Sequence, residues 1–296
     1  VGDAQVSVIS DGANTFPLGD GFVTNVRKDE VSAALEQAFL PRDKVTIYFA
    51  PLVINTGGKL VVVDTGTGEA TLASSKGQTG QFQNNLKAAG IDRNAVDVVL
   101  ISHNHYDHLD VHAVQALNQQ AQGATLFIVP LGLKAWFVRH GITQVVELDW
   151  WDEHVLEASD HSLRIPVTLT PAQHWSARTA TDALRSLWGG YAVLSPDCHL
   201  FFSGDTAYSA DFVDIRQHFA HVQSPAQGGG FDMALLPIGA YEPRWFMKDQ
   251  HVDPQEAVQI HKDLRARQSV AYHWGTFSLS NEALDDPPIA LATALK

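Results

Sequence analysis

Ile101-Ser-His-Asn-His-Tyr-Asp-His-Leu109 places four metal-competent side chains, His103, His105, Asp107 and His108, within six residues. The apolar, β-branched run before it predicts a short buried strand over Val96 to Ser102. His103 and His105 lie two apart at the end of that strand, so their side chains point to one side. Asp107 and His108 follow in the turn and converge on a neighbouring point.

Further along, three single residues repeat one placement. His174 follows an apolar run from Leu163 to Thr170 through Pro171-Ala-Gln, Asp205 follows Phe201-Phe-Ser-Gly, and His273 follows Ser269-Val-Ala-Tyr. Each stands just past the carboxyl end of an expected strand, where layered α/β sheets gather ligand groups. With the first four they make a seven-residue set. Imidazole and carboxylate suit zinc, and also manganese or iron; the lack of a cysteine ligand argues against a purely structural zinc knot. Two divalent metals about 3.5–4 Å apart need a bridging carboxylate and leave room for a bridging hydroxide, a nucleophile that makes a catalytic serine or cysteine unnecessary. Asp110, directly after the motif, is placed to hydrogen-bond a ligand histidine.

Around these positions strand and helix signals alternate, which predicts a layered α/β architecture. Thr46 to Asn55 and Lys59 to Asp64 are apolar runs joined by Thr56-Gly57-Gly58, a hairpin signature. Leu200 to Ser203, Met233 to Pro237 and Ser269 to Tyr272 are further short strands. Helices are expected over Gln81 to Ala89, Val111 to Gln120, Leu133 to His140, Ala210 to Phe219 and Pro254 to Arg267. Asp253 is the expected N-cap of the last, with Pro254 at its first position. Ser224 to Gly230 is expected to be a loop inside one domain spanning 1–296, and no repeat is present.

The chain has 296 residues, 45% hydrophobic and 18% charged, enough for a sizeable core. Its net charge of −13 argues against a nucleic-acid partner, which needs a basic footprint. No apolar run approaches the ~20 residues that cross a bilayer, so no transmembrane segment is expected. Cys198 is the only cysteine, which excludes an intrachain disulfide, and Ser195-Pro-Asp-Cys-His199 is expected to turn. The opening Val1-Gly-Asp has no leader pattern, but the chain does not begin with Met, so localisation stays open between exported and cytoplasmic. The oligomeric state stays open as well, a homodimer included.

His103-Asn-His105-Tyr-Asp107-His108 resembles the HxHxDH motif of the metallo-β-lactamase fold, and the resemblance implies an αββα sandwich. It implies one metal site held by His103, His105 and His174, a second held by Asp107, His108 and His273, and Asp205 bridging them. Asp64, in Val62-Val-Asp-Thr-Gly66, corresponds to a residue that orients ligands from behind.

Two relatives divide the chain. Residues 103–290 resemble the N-acyl-phosphatidylethanolamine-hydrolysing phospholipase D group, most specifically in Ile238-Gly-Ala-Tyr-Glu-Pro-Arg-Trp-Phe-Met247, with Pro171-Ala-Gln-His-Trp175, Leu187-Trp-Gly189 and His273-Trp-Gly-Thr-Phe277. Residues 1–102 resemble secreted lactonases and organophosphate hydrolases, in Phe16-Pro-Leu18, Phe22-Val-Thr-Asn25 and Leu52 to Lys59. A seam near residue 102 is the mark of a chimera, with a divergent natural chain as the alternative.

The first resemblance implies a two-metal phosphodiesterase acting on a small or lipid-derived ester, with Asp107, Asp205 and His251 as catalytic residues and His251 beside the substrate phosphate. The second implies a lactonase or phosphotriesterase. A catalytically idle metal-binding scaffold is the alternative of another class. Trp175, Tyr241, Trp245, Phe246, Trp274 and Phe277 are candidates to wall a pocket, and Arg244 either meets a phosphate or pairs with Glu242.

Overall fold

The computed structural model describes residues 5–19, 27–37, 41–49, 51–56, 59–68, 71–92, 95–157, 164–179, 181–223, 229–274, 280, 282–283 and 286–296. The chain runs through β1 (Gln5–Val8), β2 (Gly12–Pro17), α1 (Lys28–Gln37), β3 (Lys44–Phe49), β4 (Leu52–Thr56), β5 (Lys59–Val63), α2 (Thr71–Ser74) and α3 (Phe82–Ala88). It continues with β6 (Val96–Leu100), α4 (Val111–Gln120), β7 (Leu126–Pro130), α5 (Lys134–Arg139), β8 (Val145–Leu148), β9 (Glu153–Glu157) and β10 (Arg164–Thr170). The last third holds β11 (Gly190–Ser195), β12 (Cys198–Phe202), α6 (Asp211–Phe219), β13 (Met233–Pro237), α7 (Arg244–Met247), α8 (Pro254–Asp263), β14 (Gln268–Tyr272) and α9 (Asp286–Ala294).

Two six-stranded sheets result, in the orders β1-β4-β5-β6-β7-β8 and β14-β13-β12-β11-β10-β9. In the first, β5 to β8 are parallel; in the second, β12 to β14 are parallel and the rest antiparallel. The central strands, such as β5, β6, β11 and β13, are apolar on both faces, as strands covered on both sides must be. Alternation at a period of two then sorts the side chains. Leu52, Ile54, Val61 and Val63 of the first sheet meet Val167, Leu169, Tyr191, Val193 and Phe202 of the second in one inter-sheet core. Val53, Val62 and Val99 point the other way, against Phe82 and Leu86 of α3, Val114 and Leu117 of α4 and Phe137 of α5. Phe201 and Ala234 likewise face Phe212 and Ile215 of α6 and Ile260 of α8. The four layers are the expected αββα sandwich, and the inter-sheet core draws on both sides of residue 102.

Helices α4 and α8 start where predicted. Asp110 caps α4 by accepting from Ala113 N at 2.6 Å. Asp253 and Glu256 form a capping box on α8, with Pro254 in its first turn. That helix stops at Asp263, short of the expected Arg267. Arg265 takes φ 51° and Ala266 N donates to His261 O, a left-handed C-terminal closure that ends the helix one turn early.

The run expected over Thr46 to Asn55 is two strands. β3 pairs with β2 in a separate ribbon, and β4 enters the first large sheet. Pro51 stands between them, without the N–H that a continuous ladder needs, while its carbonyl accepts from Ile9 N at 2.9 Å. The hairpin glycines Gly57 and Gly58, Phe22 to Asn25, Phe277 and Ser224 to Gly228 lie outside the described residues. Cys198 closes the β11–β12 turn as the first residue of β12 and is buried. No helix among the described residues is long and apolar enough to cross a membrane.

The buried Tyr191 hydroxyl ties the sheets together, shared between Ile101 O at 2.9 Å and Ile128 O at 3.1 Å. Tyr191→Phe removes this donor without changing the packed ring. It is expected to lower unfolding stability by about 1–2 kcal/mol with an unchanged slope, as read by urea denaturation.

Candidate metal centre

The parallel strands deliver their chemistry at one rim. Asp64 directly follows β5, Ser102 and His103 lie just past β6, and the loops after β10, β12 and β14 carry His174, Asp205 and His273. Glycines let the two sheets touch beneath that rim. Gly189 N donates to Ser102 O at 3.0 Å. A Cβ on Gly204, at φ 63°, would stand 2.7 Å from Gly189 O and 3.2 Å from Ser102 Cβ. Any side chain there would push apart the strand ends that hold His103 and Asp205.

The seven predicted residues come together in two groups, His103 with His105 and His174, and Asp107 with His108, Asp205 and His273; in each, the potential ligand atoms lie within 4.8 Å of one another. His103 Nε2 is 2.8 Å from His105 Nδ1, and His174 Nε2 is 3.4 Å from the same atom. Three ring nitrogens facing one another cannot all be satisfied by hydrogen bonds, and a cation between them resolves the conflict. In the second group His108 Nε2 lies 3.3 Å from Asp107 Oδ2 and 3.2 Å from Asp205 Oδ2, and His273 Nε2 lies 3.4 Å from Asp205 Oδ2. Asp205 Oδ1 is buried with no hydrogen-bond partner. Neutral imidazoles, carboxylates and an orphaned buried oxygen fit divalent metals, so the cluster is a candidate metal-binding site.

His251 joins the same place. It forms a third compact group with His174 and Asp205, its ring stacks on that of His273 at 5.5 Å, and its Nδ1 has no hydrogen-bond partner. His251 is thus a buried member of the cluster.

Electrostatics in the cluster follow from burial and neighbours. Burial, and then the facing imidazoles, push His103 well below the ordinary histidine range; burial does the same to His174. Burial penalises charge on His108 too, but Asp205, Asp107 and Asp64 outweigh it and hold its pKa well above the ordinary value. Burial alone would raise Asp205; His273 and His108 pull it well below the usual carboxylate range instead. The carboxylates thus draw positive charge to this point.

A second layer fixes the first. Asp64, itself at φ 59°, lies 2.6 Å from His108 Nδ1 and accepts from Ser102 N and Oγ. Asp64 thus stands behind His108, at the position the resemblance implies for it. Ser102 Oγ sits 3.0 Å from His103 Nδ1, and Gln250 O lies 3.0 Å from His174 Nδ1. Asp110, expected on a ligand histidine, is used as the α4 cap, because its carboxylate faces the helix N–H groups. Arg244 meets the Glu242 carboxylate through its backbone N at 3.0 Å, while its guanidinium is engaged elsewhere. It donates to Glu256 at 2.7 Å and His251 O at 2.8 Å, and Asp253 lies 3.4 Å away.

Among the aromatics, Trp175 stands 4.5 Å from the His105 ring and remains 40% exposed, as a pocket wall would. Tyr241 is buried, Trp245 is exposed beside Phe246, and Trp274 packs on the core outside the second sheet. Two contributors were missed. Glu282 accepts from Ala240 N, Tyr241 N and Glu242 N, fixing the loop beside His273; Arg178 holds the motif loop. A lone Glu and a lone Arg in loops carry no periodic or motif signal.

Comparison with known proteins agrees with this geometry. The β-lactamase superfamily domain model matches residues 59–274, and the chain belongs to the metallo-β-lactamase superfamily. It is 39% identical over 193 residues to the mitochondrial N-acyl-phosphatidylethanolamine-hydrolyzing phospholipase D of Saccharomyces cerevisiae, covering 64% of this chain and 39% of that protein. It is 40% identical over 193 residues to N-acyl-phosphatidylethanolamine-hydrolyzing phospholipase D 1 of Caenorhabditis elegans, covering 62% of this chain and 50% of that one. The matches thus span half or less of these relatives' length. Among solved structures, the metallo-β-lactamase fold protein YhfI of Bacillus subtilis is similar with a TM-score of 0.54 at 14% identity, covering 98% of this chain and 92% of that one. Human tRNase Z, short form, gives 0.53 at 16% identity, covering 90% and 92%. These two likenesses establish the fold. The protein is thus a metallo-β-lactamase-superfamily chain with a candidate His/Asp metal cluster.

Asp64→Asn keeps a residue that tolerates a positive φ but removes the carboxylate behind His108. It is expected to weaken zinc binding by about 10- to 100-fold, measured by chelator competition.

Proposed function

We propose that the chain is a dinuclear metal-dependent phosphodiesterase of phospholipase D type. The observation that carries the dinuclear part is the position of Asp205. Its Oδ2 lies between the two groups, 3.2 Å from His108 Nε2, 3.4 Å from His273 Nε2 and 4.0 Å from His174 Nε2. A carboxylate on that border is placed to bridge. His103, His105 and His174 would hold one ion and Asp107, His108 and His273 the other, with zinc the best fit to the donors and manganese or iron also compatible. When bound, such ions supply an activated water at neutral pH and polarise the phosphoryl oxygen.

The chain's own residues do the rest. Asp64 and Ser102 fix the rings of His108 and His103, and Gln250 O fixes His174, so the cluster needs little reorganisation on binding substrate. Burial pushes His251 down to about 4, so at pH 7 it is a neutral imidazole. It therefore serves as a hydrogen-bond donor to a phosphoryl or leaving-group oxygen rather than as a proton store. Trp175 shields His105 from one side. The phosphodiester preference is supported by the identity to the two phospholipase D relatives. Residues 1–296 are taken as lying within one domain, because strands from both sides of residue 102 build one inter-sheet core.

A second reading, a lactonase or phosphotriesterase, has its own support. Phe49, Pro51 and Leu52 from the amino-terminal third line one small cavity with Asp107, His108 and His273. Arg178, on the loop after His174, and Arg244, at the start of α7, are both committed to protein partners, which suits a neutral electrophile.

The metal-replete protein is to be assayed side by side on a chromogenic phosphodiester, a phosphotriester and an aryl lactone. The diester is expected to turn over fastest, with Asp205→Asn slower on the order of 100-fold or more. Chelation should abolish the activity and zinc restore it. Faster turnover of triester or lactone overturns the diester preference. Silence on all three overturns the enzymatic proposal in favour of a metal-binding scaffold.

A further inference from the structure

The loop after His174 carries a guanidinium that the proposed reaction leaves without a role. Arg178 Nη1 donates to Asn104 O at 2.8 Å and to Leu109 O at 2.6 Å. These carbonyls bracket the motif, one between His103 and His105, the other directly after His108. Between them the chain turns on itself, His105 O accepting from His108 N at 3.1 Å and Leu109 N at 2.9 Å. One nitrogen therefore ties both ends of the turn that carries His105, Asp107 and His108.

Its other contacts fix it in place. The guanidinium carbon lies 4.1 Å from the centroid of the Tyr106 ring and 5.2 Å from that of Trp136. Tyr106 Oη returns a hydrogen bond to Arg178 O at 2.9 Å. A half-buried cation held by carbonyl oxygens and aromatic faces makes charge-assisted bonds of defined direction. The segment behind it is braced as well. Asp182 Oδ1 accepts from Arg178 N at 2.9 Å and Thr179 N at 2.7 Å, Ser176 Oγ donates to Ser186 O at 2.6 Å, and Leu184 N donates to Ser176 O at 2.8 Å. That segment begins at His174, four residues before Arg178. Arg178 thus joins the loop of His174 to the loop of His103 and His105, the three members of one candidate ligand group.

We propose that Arg178 is a positioning residue that splints the motif turn to the His174 loop, so that His103, His105 and His174 stand preformed for one metal ion. This rests on the metal-centre proposal above. The alternative, a purely structural arginine, predicts lost stability without lost metal affinity.

The test is zinc affinity of the full chain by chelator competition, with the melting temperature of the metal-free protein, for wild type, Arg178→Ala, Arg178→Lys and Tyr106→Phe. Arg178→Ala is expected to weaken zinc binding about 10- to 100-fold. Arg178→Lys, which keeps the charge and can reach a carbonyl but lacks the planar fork, is expected to recover part of that loss. Tyr106→Phe removes only the returning hydrogen bond and is expected to weaken zinc a few-fold with little change in metal-free melting. Wild-type affinity in Arg178→Ala, or a fall in metal-free melting alone, overturns the inference. If Arg178→Ala does not fold, unchanged affinity in both other variants overturns it. A wild-type chain that binds no zinc overturns the metal-centre proposal itself, and does so before any variant is compared.

Discussion

Two carboxylates, the half-buried Asp107 and the buried Asp205, crowd together with His103, His105, His108, His174, His251 and His273, and the rest of the molecule is arranged around that concentration of polar groups. Packing two acids and six imidazoles out of water is unfavourable unless opposite charge and directed bonds compensate. The carboxylates raise His108 for this reason, and ring nitrogens that face one another call for a cation rather than for protons. Divalent metals would supply that charge. The fold supplies the geometry.

The sandwich accomplishes this by letting two sheets end at one rim. Their inner faces are sealed by alternating aliphatic and aromatic side chains, and the Tyr191 hydroxyl adds a polar link between them. At the rim the sheets must come closer than side chains permit, and Gly204 allows it. Asp64, Glu282 and Arg178 then act from outside the cluster, each through backbone groups or the far side of a ring. Precision comes from this outer layer, because a loop ligand is only as fixed as the groups behind it.

Much of this was legible in the sequence. The motif from His103 to His108 and the strand-end positions of His174, Asp205 and His273 follow from period-two alternation and the habit of α/β sheets to gather ligands at strand ends. The cap at Asp253 carries the side-chain chemistry that starts a helix, whereas the Asp110 carboxylate, expected on a histidine, caps α4 instead. What could not be read depends on three-dimensional encounter. Arg178 looks like any loop arginine until its partners at Asn104 and Leu109 are known, and Arg244 looks exposed until the α8 capping box closes on it. The break at Pro51 was signalled by proline but overruled by the apolar run around it.

The central claim is a two-ion centre, and zinc titration of the metal-free chain, with X-ray absorption on the saturated protein, tests it most directly. A dinuclear centre predicts two zinc ions per chain, bound by histidine and carboxylate with no sulfur ligand, about 3.5–4 Å apart. A single ion at saturation, or two ions too far apart to share Asp205, would contradict it.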